Sequence, residues 1–283
     1  ERLRLRAVGV AGHDDLAAPG EGGDRFGDRE AGRVVDDDQV ERRAGREKLR
    51  DGIRAHRQAG TGSRDEILPL ADDIGEGQSR PRAFVEATGL AIGDSRALAD
   101  ADSRPVRYVS WHEALAWCDW LNEVLGTGQA FADSPFVKLV REHAWRVALP
   151  SELEWEKAAR GGLNGSVFPW GDEADPNRAN HGGWQIGDTS AVGCFAANGF
   201  GLFDMVGNVW EWTRSIYLPY PYDATDPKRE DLQAGDNVSR VVRGGSWLNP
   251  RGFARCASRF GFHPGGRDVD LGFRVVLRSP PVR

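Results

Sequence analysis

The chain has 283 residues, a net charge of −6 and 40% hydrophobic residues, which is enough for a domain with a sizeable core. Because charges of both signs are spread along it, we expect no nucleic-acid partner. It contains no apolar run of about 18 residues that would span a membrane. Its three cysteines match neither a disulfide framework nor a zinc motif. With no signal peptide visible, the location is unknown from the sequence, and a cytoplasmic one is the default expectation.

The composition changes near residue 84. All ten tryptophans and all four tyrosines lie after this point, and residues 1–83 contain one aromatic residue, Phe26. A highly charged segment with so few aromatic residues buries little apolar surface and is typical of loosely packed chain. We therefore separate an atypical charged N-terminal segment, 1–83, from a folded domain, 84–283.

Two helices are signalled after residue 84 by capping boxes. Ser110 and Glu113 have the spacing at which each side chain accepts a hydrogen bond from the other residue's backbone N–H. Ser151 and Glu154 repeat this spacing. Residues between these two helices predict a further helix and a strand that leads to Pro150. We expect three tryptophans of the capped helices to lie in the core: Trp117, Trp120 and Trp155.

Residues 198–212, NGFGLFDMVGNVWEW, combine a glycine-rich turn with a strand. The alternation in the last residues predicts that Trp210 and Trp212 enter a core while Glu211 lies on the opposite face. A carboxylate beside a core strand needs a basic partner or a metal, because an unpaired buried charge is costly. Glu211 is therefore a candidate for either kind of interaction.

The C-terminal block has strands at its ends and an irregular middle. RVVRGGSW and LGFRVV are rich in β-branched residues and predict short strands, whereas the stretch between them is rich in Gly, Pro and Arg. We expect Arg255 and Arg259 in this stretch to fix loops through multidentate bonds. The ends then form a scaffold, and the middle is available for display.

Several sequence motifs together resemble those of a known family. TSAVGCFAANGFGLFDMVGNVWEWT, RVVRGGSW, RCASR and LGFRVV, with LPSELEWEKAARGG and FPWGDE upstream, resemble the formylglycine-generating-enzyme-like (sulfatase-modifying factor) superfamily over residues 84–277. The resemblance implies an α+β, C-type-lectin-like fold with short antiparallel strands, two packed helices and much irregular loop. Because this superfamily contains enzymes and binding proteins, the fold does not decide the function.

The enzyme branches of the superfamily fit this chain poorly. Formylglycine-generating enzymes use a cysteine pair with copper in the loop after GGS[WY], but residues 248–254 contain no cysteine. Cys256 occupies an ordinary packing position in RCASR. The six histidines are scattered and form no cluster of the kind that holds iron in the sulfoxide synthases. We therefore expect no redox cofactor and favour a protein that is not an enzyme.

A third branch of the superfamily consists of the variable proteins of diversity-generating retroelements. The chain resembles this branch more than the enzymes, because it lacks their cysteine pair and histidine cluster. Such proteins vary within the segment that corresponds to residues 244–276, which is therefore a candidate ligand-display region for a protein or other macromolecule. We expect at least two of Phe253, Phe260 and Phe262 to be exposed. The candidate ligand-binding residues are Trp247, Leu248, Asn249, Gly252, Phe253, Phe260, Gly261, Phe262, His263, Gly266, Asp268, Val269 and Asp270.

The resemblance also implies structural calcium. In the resembling enzymes, one ion is held by side chains at the positions of Asp204 and Glu211 and by carbonyls at those of Gly207 and Val209, and a tight loop of oxygen ligands suits this cation. The alternative is a metal-free loop in which Glu211 pairs with an arginine such as Arg243 or Arg274. A second family site corresponds to Asn180, the carbonyl of His181, and Asp188.

Two further functions remain open. The chain is alternatively a divergent oxidoreductase or sulfatase-modifying enzyme, with copper or iron bound by His or Cys in the C-terminal cleft. A weaker possibility is a regulatory or scaffold module of the type that is fused to kinases.

Overall fold

The computed structural model describes residues 80–127, 135–183, 186–223 and 225–280. The N-terminal segment 1–83 therefore lies outside the described residues, apart from 80–83. The helices are α1 (Arg80–Thr88), α2 (Trp111–Thr127), α3 (Pro135–His143) and α4 (Glu152–Arg160). The strands are β1 (Arg146–Ala148), β2 (Trp210–Ile216), β3 (Arg240–Arg243), β4 (Phe260–Phe262), β5 (Leu271–Phe273) and β6 (Val276–Arg278).

Both predicted capping boxes are confirmed. At α2, the N–H of Glu113 donates to Ser110 Oγ over 3.2 Å, and the N–H of Ser110 donates to Glu113 Oε2 over 2.7 Å. At α4, the corresponding bonds between Ser151 and Glu154 are 3.1 and 2.6 Å long. Helix α4 is capped at its C-terminus by Gly161, which has φ +56° and so takes the left-handed conformation that glycine adopts without strain.

The predicted helix and strand between α2 and α4 are also confirmed, as α3 and β1. Strand β1 pairs antiparallel with β6 in a two-stranded sheet, with Val147 opposite Leu277. The side chain of Asn122 on α2 bonds to both the N–H and the C=O of Val147, over 2.8 and 2.9 Å. These bonds attach the small sheet to the longest described helix.

The larger sheet has four strands in the order β4-β3-β2-β5. Strand β4 lies within the stretch that we predicted to be irregular, so that prediction was wrong for residues 260–262. The expectation of antiparallel strands was also wrong for β2 and β5, which are parallel, with Trp210 opposite Leu271. The parallel pair arises because the chain crosses from β4, at one edge, to β5 at the other.

Both faces of this sheet are covered. One face packs against α2 in a core that contains Trp117, Leu121 and Trp212. The opposite face lies against α4, where Trp155 is fully buried. The prediction that both strand tryptophans enter the core is confirmed for Trp212 but not for Trp210, which is only partly buried.

Candidate functional site

Five side-chain positions in residues 244–276 are exposed and were predicted to bind ligand. Leu248 is 49% exposed and Phe260 is 51% exposed. The remaining members of this group, which we call the display surface, are Gly252, His263 and Asp268. Adjacent residues are buried, including Ser246, Ser258 and Leu271, so the exposed positions are carried on a fixed framework.

An aromatic cluster supports Phe260. Its ring centroid lies 6.2 Å from that of Trp210 on β2, and the Trp210 ring in turn meets the edge of Phe253 at 6.5 Å. Trp210 was missed as a surface residue because strand alternation alone assigned it to the core. Its partial exposure beside Phe260 makes it a neighbour of the display surface.

The expectation that at least two phenylalanines are exposed was wrong. Only Phe260 is exposed, whereas Phe253 and Phe262 are partly buried. Phe262 packs against the central core, with its ring centroid 5.8 Å from that of Trp212. Phe260 and Phe262 are two residues apart and therefore lie on the same face of β4. Of the two, Phe262 is the one that packs against the core.

Two glycines among the predicted positions have no space for a side chain. A Cβ on Gly261 would lie 2.7 Å from the ring of Tyr217, and one on Gly266 would lie 2.5 Å from the ring of Phe262. A Cβ on Gly252 would meet nothing within 4 Å. Substitution is therefore tolerated at Gly252 and hindered at the other two positions.

Asp270 is buried and was wrongly placed among displayed residues. Its Oδ2 lies 2.5 Å from Ser246 Oγ, which is also 2.9 Å from Asn249 Oδ1. Burial raises the pKa of Asp270, because desolvation disfavours the charged carboxylate. The residue therefore ties the loop that carries Leu248 to the start of β5.

The three other predicted ligand-binding residues are partly buried. The N–H of Trp247 donates to the C=O of Asn208 over 2.9 Å. The carbonyl of Val269 accepts a 3.2 Å bond from Arg107 Nη1. The side chain of Asn249 accepts the hydrogen bond from Ser246 Oγ, and its backbone carbonyl accepts one from the N–H of Gly182 over 2.8 Å. Backbone bonds therefore fix these residues at the border of the display surface.

None of the three cysteines falls within residues 248–254. Cys118 and Cys256 are buried and Cys194 is exposed. Burial raises the pKa of Cys256 to about 12, so its thiol is protonated and inert at neutral pH. Within the part of the chain that the structure describes, no three His, Cys, Asp or Glu side chains are grouped to hold a metal ion.

The predicted calcium loop has an unusual backbone. Asp204, Gly207 and Asn208 all have positive φ, at +50°, +79° and +63°. A Cβ on Gly207 would lie 2.3 Å from the carbonyl oxygen of Asn180, so only glycine fits. The N–H of Gly207 donates to the C=O of Gly244 over 2.7 Å, which joins this loop to the start of the display region.

Glu211 is fully buried between the sheet and α4. Its Oε2 accepts bonds from Trp155 Nε1 at 2.6 Å and from Arg274 Nε at 2.8 Å. Burial raises the pKa of Glu211 to about 8, partly offset by Arg274, and the nearby charge of Asp204 adds to the increase. The pairing with Arg274 is the one expected for a metal-free loop, while Arg243 binds Glu156 at 2.6 Å.

The first calcium site fits the residues present. Glu211 Oε1 is buried and has no hydrogen-bond partner among the described residues, so it can accept a further ligand. The carboxylate of Asp204 lies in the same loop and holds the N–H of Gly193 at 2.6 Å with one oxygen. Two carboxylates and a tight loop are the donor set that a hard cation prefers.

The second site fits less well. Asn180 Oδ1 is buried without a hydrogen-bond partner among the described residues, which suits a ligand. However, the carboxylate of Asp188 is already neutralised by Arg107 at 2.7 Å and Arg104 at 2.9 Å. The ring of His181 accepts the N–H of Gly183 over 3.1 Å. Both oxygens of Asp188 are therefore held by arginines, whereas Glu211 keeps one oxygen without a partner among the described residues.

Comparison with known proteins identifies the family. Residues 77–279 match the Sulfatase-modifying factor enzyme 1-like domain. The chain belongs to this family. It is 37% identical over 190 residues to the inactive C-alpha-formylglycine-generating enzyme 2 of Bos taurus, covering 61% of this chain and 50% of that protein. It is 29% identical over 206 residues to the formylglycine-generating enzyme of Mus musculus, covering 67% and 48%.

The chain thus spans about half the length of these curated relatives. Among solved structures, it is similar to Treponema denticola variable protein 1, with a TM-score of 0.53, 25% identity and coverage of 72% of this chain and 82% of that one. It is also similar to PvdO from Pseudomonas aeruginosa, with a TM-score of 0.52, 26% identity and coverage of 70% and 75%. The family's α+β, C-type-lectin-like fold is therefore confirmed.

Proposed function

We propose that this family member is a ligand-binding variable protein of a diversity-generating retroelement, which binds a protein or other macromolecule through the display surface. The observation that carries the proposal is the contrast in exposure within residues 244–276. Leu248 and Phe260 are half exposed, whereas the framework around them is buried and hydrogen-bonded. The similarity to Treponema denticola variable protein 1 supports it.

Binding would draw on apolar burial at fixed positions. Covering a large apolar side chain contributes roughly 1.5–3 kcal/mol, so Leu248 and Phe260 suit the role of anchors. The Trp210 ring contacts Phe260 and is itself packed against Phe253, which limits the conformational entropy that Phe260 loses on binding. No bond is made or broken in this function. The alternative oxidoreductase would hold copper or iron through His or Cys, so metal analysis of the purified protein separates the two functions.

A randomised library tests the proposal. Residues 248, 252, 260, 263 and 268 are varied together, and the variants are selected for binding to a protein target such as lysozyme. We expect binders whose melting temperatures stay within about 5 °C of the parent, because the varied positions lie outside the core. A matched library varied at Gly261, Phe262, Gly266 and Asp270 should yield few folded members. Equal folding of both libraries, or no binders from the first, would contradict the proposal.

We also propose that Asp204 and Glu211, with the carbonyls of Gly207 and Val209, hold a structural calcium ion. The unpartnered Glu211 Oε1 supports this assignment. The ion would supply positive charge between two carboxylates and would stabilise the loop that adjoins Gly244. The family's second site, at Asn180, His181 and Asp188, is a weaker proposal because arginines already neutralise Asp188.

Chelation tests the calcium proposal. Saturating calcium, added to protein freed of metal by a chelator, should stabilise it by about 2.7 kcal/mol at one hundred times Kd, which a thermal melt detects. Asp204→Asn and Glu211→Gln should abolish the increase in melting temperature, whereas Glu123→Gln, an exposed change on α2, should keep it. No increase in the parent protein, or the same increase in both site variants, would refute the assignment.

A further inference from the structure

A second aromatic surface lies outside residues 244–276. Three of the chain's four tyrosines fall within residues 217–222, directly after β2. Tyr217 is 42% exposed and Tyr220 is 52% exposed, while Tyr222 is partly buried. We call these three residues the tyrosine ridge. The calcium and display functions proposed above do not use it.

Charged groups beneath the ridge hold its first two rings. The guanidinium carbon of Arg259 lies 4.4 Å from the ring centroid of Tyr217 and 4.6 Å from that of Tyr220. Both side-chain oxygens of Glu152 accept bonds from Arg259, and Tyr220 Oη donates to Glu152 Oε1 over 3.2 Å. Because Glu152 is fully buried, this support is anchored in the domain.

A second arginine holds the rest of the ridge. The guanidinium carbon of Arg229, a buried residue, lies 4.4 Å from the ring centroid of Tyr222. Its Nη2 donates to the carbonyls of Pro219 at 3.0 Å and Pro221 at 3.3 Å. The exposed rings are therefore fixed before any partner arrives, which lowers the entropy cost of binding them.

The segment that follows the ridge is acidic. Between residues 223 and 236 the acidic residues are Asp223, Asp226, Glu230, Asp231 and Asp236. The basic residues are Lys228 and the buried Arg229, so the exposed charge of the segment is mainly negative. Hydrogen bonds from Thr225 lower the pKa of Asp223, so its carboxylate is ionised at neutral pH. Asp223, Asp231 and Asp236 are exposed.

We propose that the tyrosine ridge and the exposed carboxylates of Asp223 and Asp231 form a docking surface for an arginine-rich segment of a protein partner. A guanidinium group both stacks on an aromatic ring and pairs with a carboxylate, so it fits the two features found here. Arg259 and Arg229 already make such ring contacts from the inner side. The complementary charge favours a basic polypeptide over an acidic or neutral one.

The ridge adjoins the display surface without belonging to it. A Cβ on Gly261 of β4 would lie 2.7 Å from the Tyr217 ring, which places the ridge beside the same edge strand as Phe260. Because the ridge lies outside residues 244–276, its binding should not change when the display residues change.

The test uses the full chain and a labelled synthetic peptide that alternates arginine and glycine. Fluorescence anisotropy at low salt should show binding, with Tyr217→Leu and the Tyr217→Leu/Tyr220→Leu variant weakening it by about tenfold or more. Asp223→Asn with Asp231→Asn should weaken it by about fivefold. Replacing arginine in the peptide with neutral citrulline should abolish binding. Glu123→Gln, an exposed change on α2 outside both surfaces, should leave the affinity unchanged.

Several results would overturn the docking surface. These are no binding of the arginine peptide, equal binding of the citrulline peptide, and parental affinity in the Tyr217→Leu protein. Tyr217→Leu keeps the bond between Tyr220 and Glu152, so it remains informative if the double variant is unstable. If the display library yields no binders while the arginine peptide still binds in a tyrosine-dependent way, the display function alone is contradicted.

Discussion

Replacing Glu152 with glutamine is expected to lower the free energy of unfolding by about 3–5 kcal/mol. Glu152 is 1% exposed, binds Arg259 through both oxygens and has Arg243 Nη2 at 3.8 Å. Glutamine has nearly the same shape but no charge. Arg259 would then lose its carboxylate partner, while Arg243 would keep its bond to Glu156. Leaving one member of a largely buried ion pair without its counter-charge is the costly outcome.

Chemical denaturation measures this change. Glu123→Gln is the matched control because Glu123 is exposed on α2, and it should alter the free energy of unfolding by less than about 0.5 kcal/mol. Adding Arg259→Met to Glu152→Gln should recover part of the loss, since it removes one unpaired charge. If the Glu152 variant unfolded at the parent's denaturant concentration, the proposed role of this ion pair in stability would be wrong.

Trp212→Ala is expected to cost about 3–5 kcal/mol. The Trp212 side chain is fully buried in the main core, its Nε1 donates to the carbonyl of Val109 over 2.9 Å, and its ring meets Phe262. Alanine would leave a large cavity and an unpaired carbonyl. Denaturant unfolding followed by circular dichroism measures the loss.

Phe260→Ala provides the control for this second change. Phe260 lies on the same sheet but is half exposed, so its truncation should cost less than about 1 kcal/mol. Comparable losses in the two variants would contradict the separation between core and display residues. Phe262 should fall between them, because it is partly buried against Trp212.

Local features of the fold could be predicted from the sequence. Both capping boxes depend on residues three positions apart, so their signal is complete within one helical turn. The helix and strand before Pro150 also follow from local periodicity. The sequence motifs around Asn208 and Gly245 allowed the fold to be predicted. Both residues take the left-handed backbone conformation, which few residue types adopt readily.

Features that depend on distant neighbours could not be derived in this way. Arg243 lies directly opposite Glu211 across β2 and β3, yet Glu211 binds Arg274. The reason is that Arg243 reaches Glu156 on α4, a contact that is separated by 87 residues in sequence. The burial of Asp270 and Phe262 likewise depends on residues from other parts of the chain, Ser246 and Trp212.

Sequencing the gene and its neighbourhood tests the display function most directly. We predict a reverse transcriptase gene and a near-copy of the segment that encodes Gly244–Val276, differing from it at adenines of the copy. The differences should change the residues of the display surface. They should spare Gly261 and Gly266, where a side chain would collide, and Asp270, which is buried and bonded to Ser246. The absence of such a copy, or differences concentrated at the spared positions, would contradict a diversified binding protein.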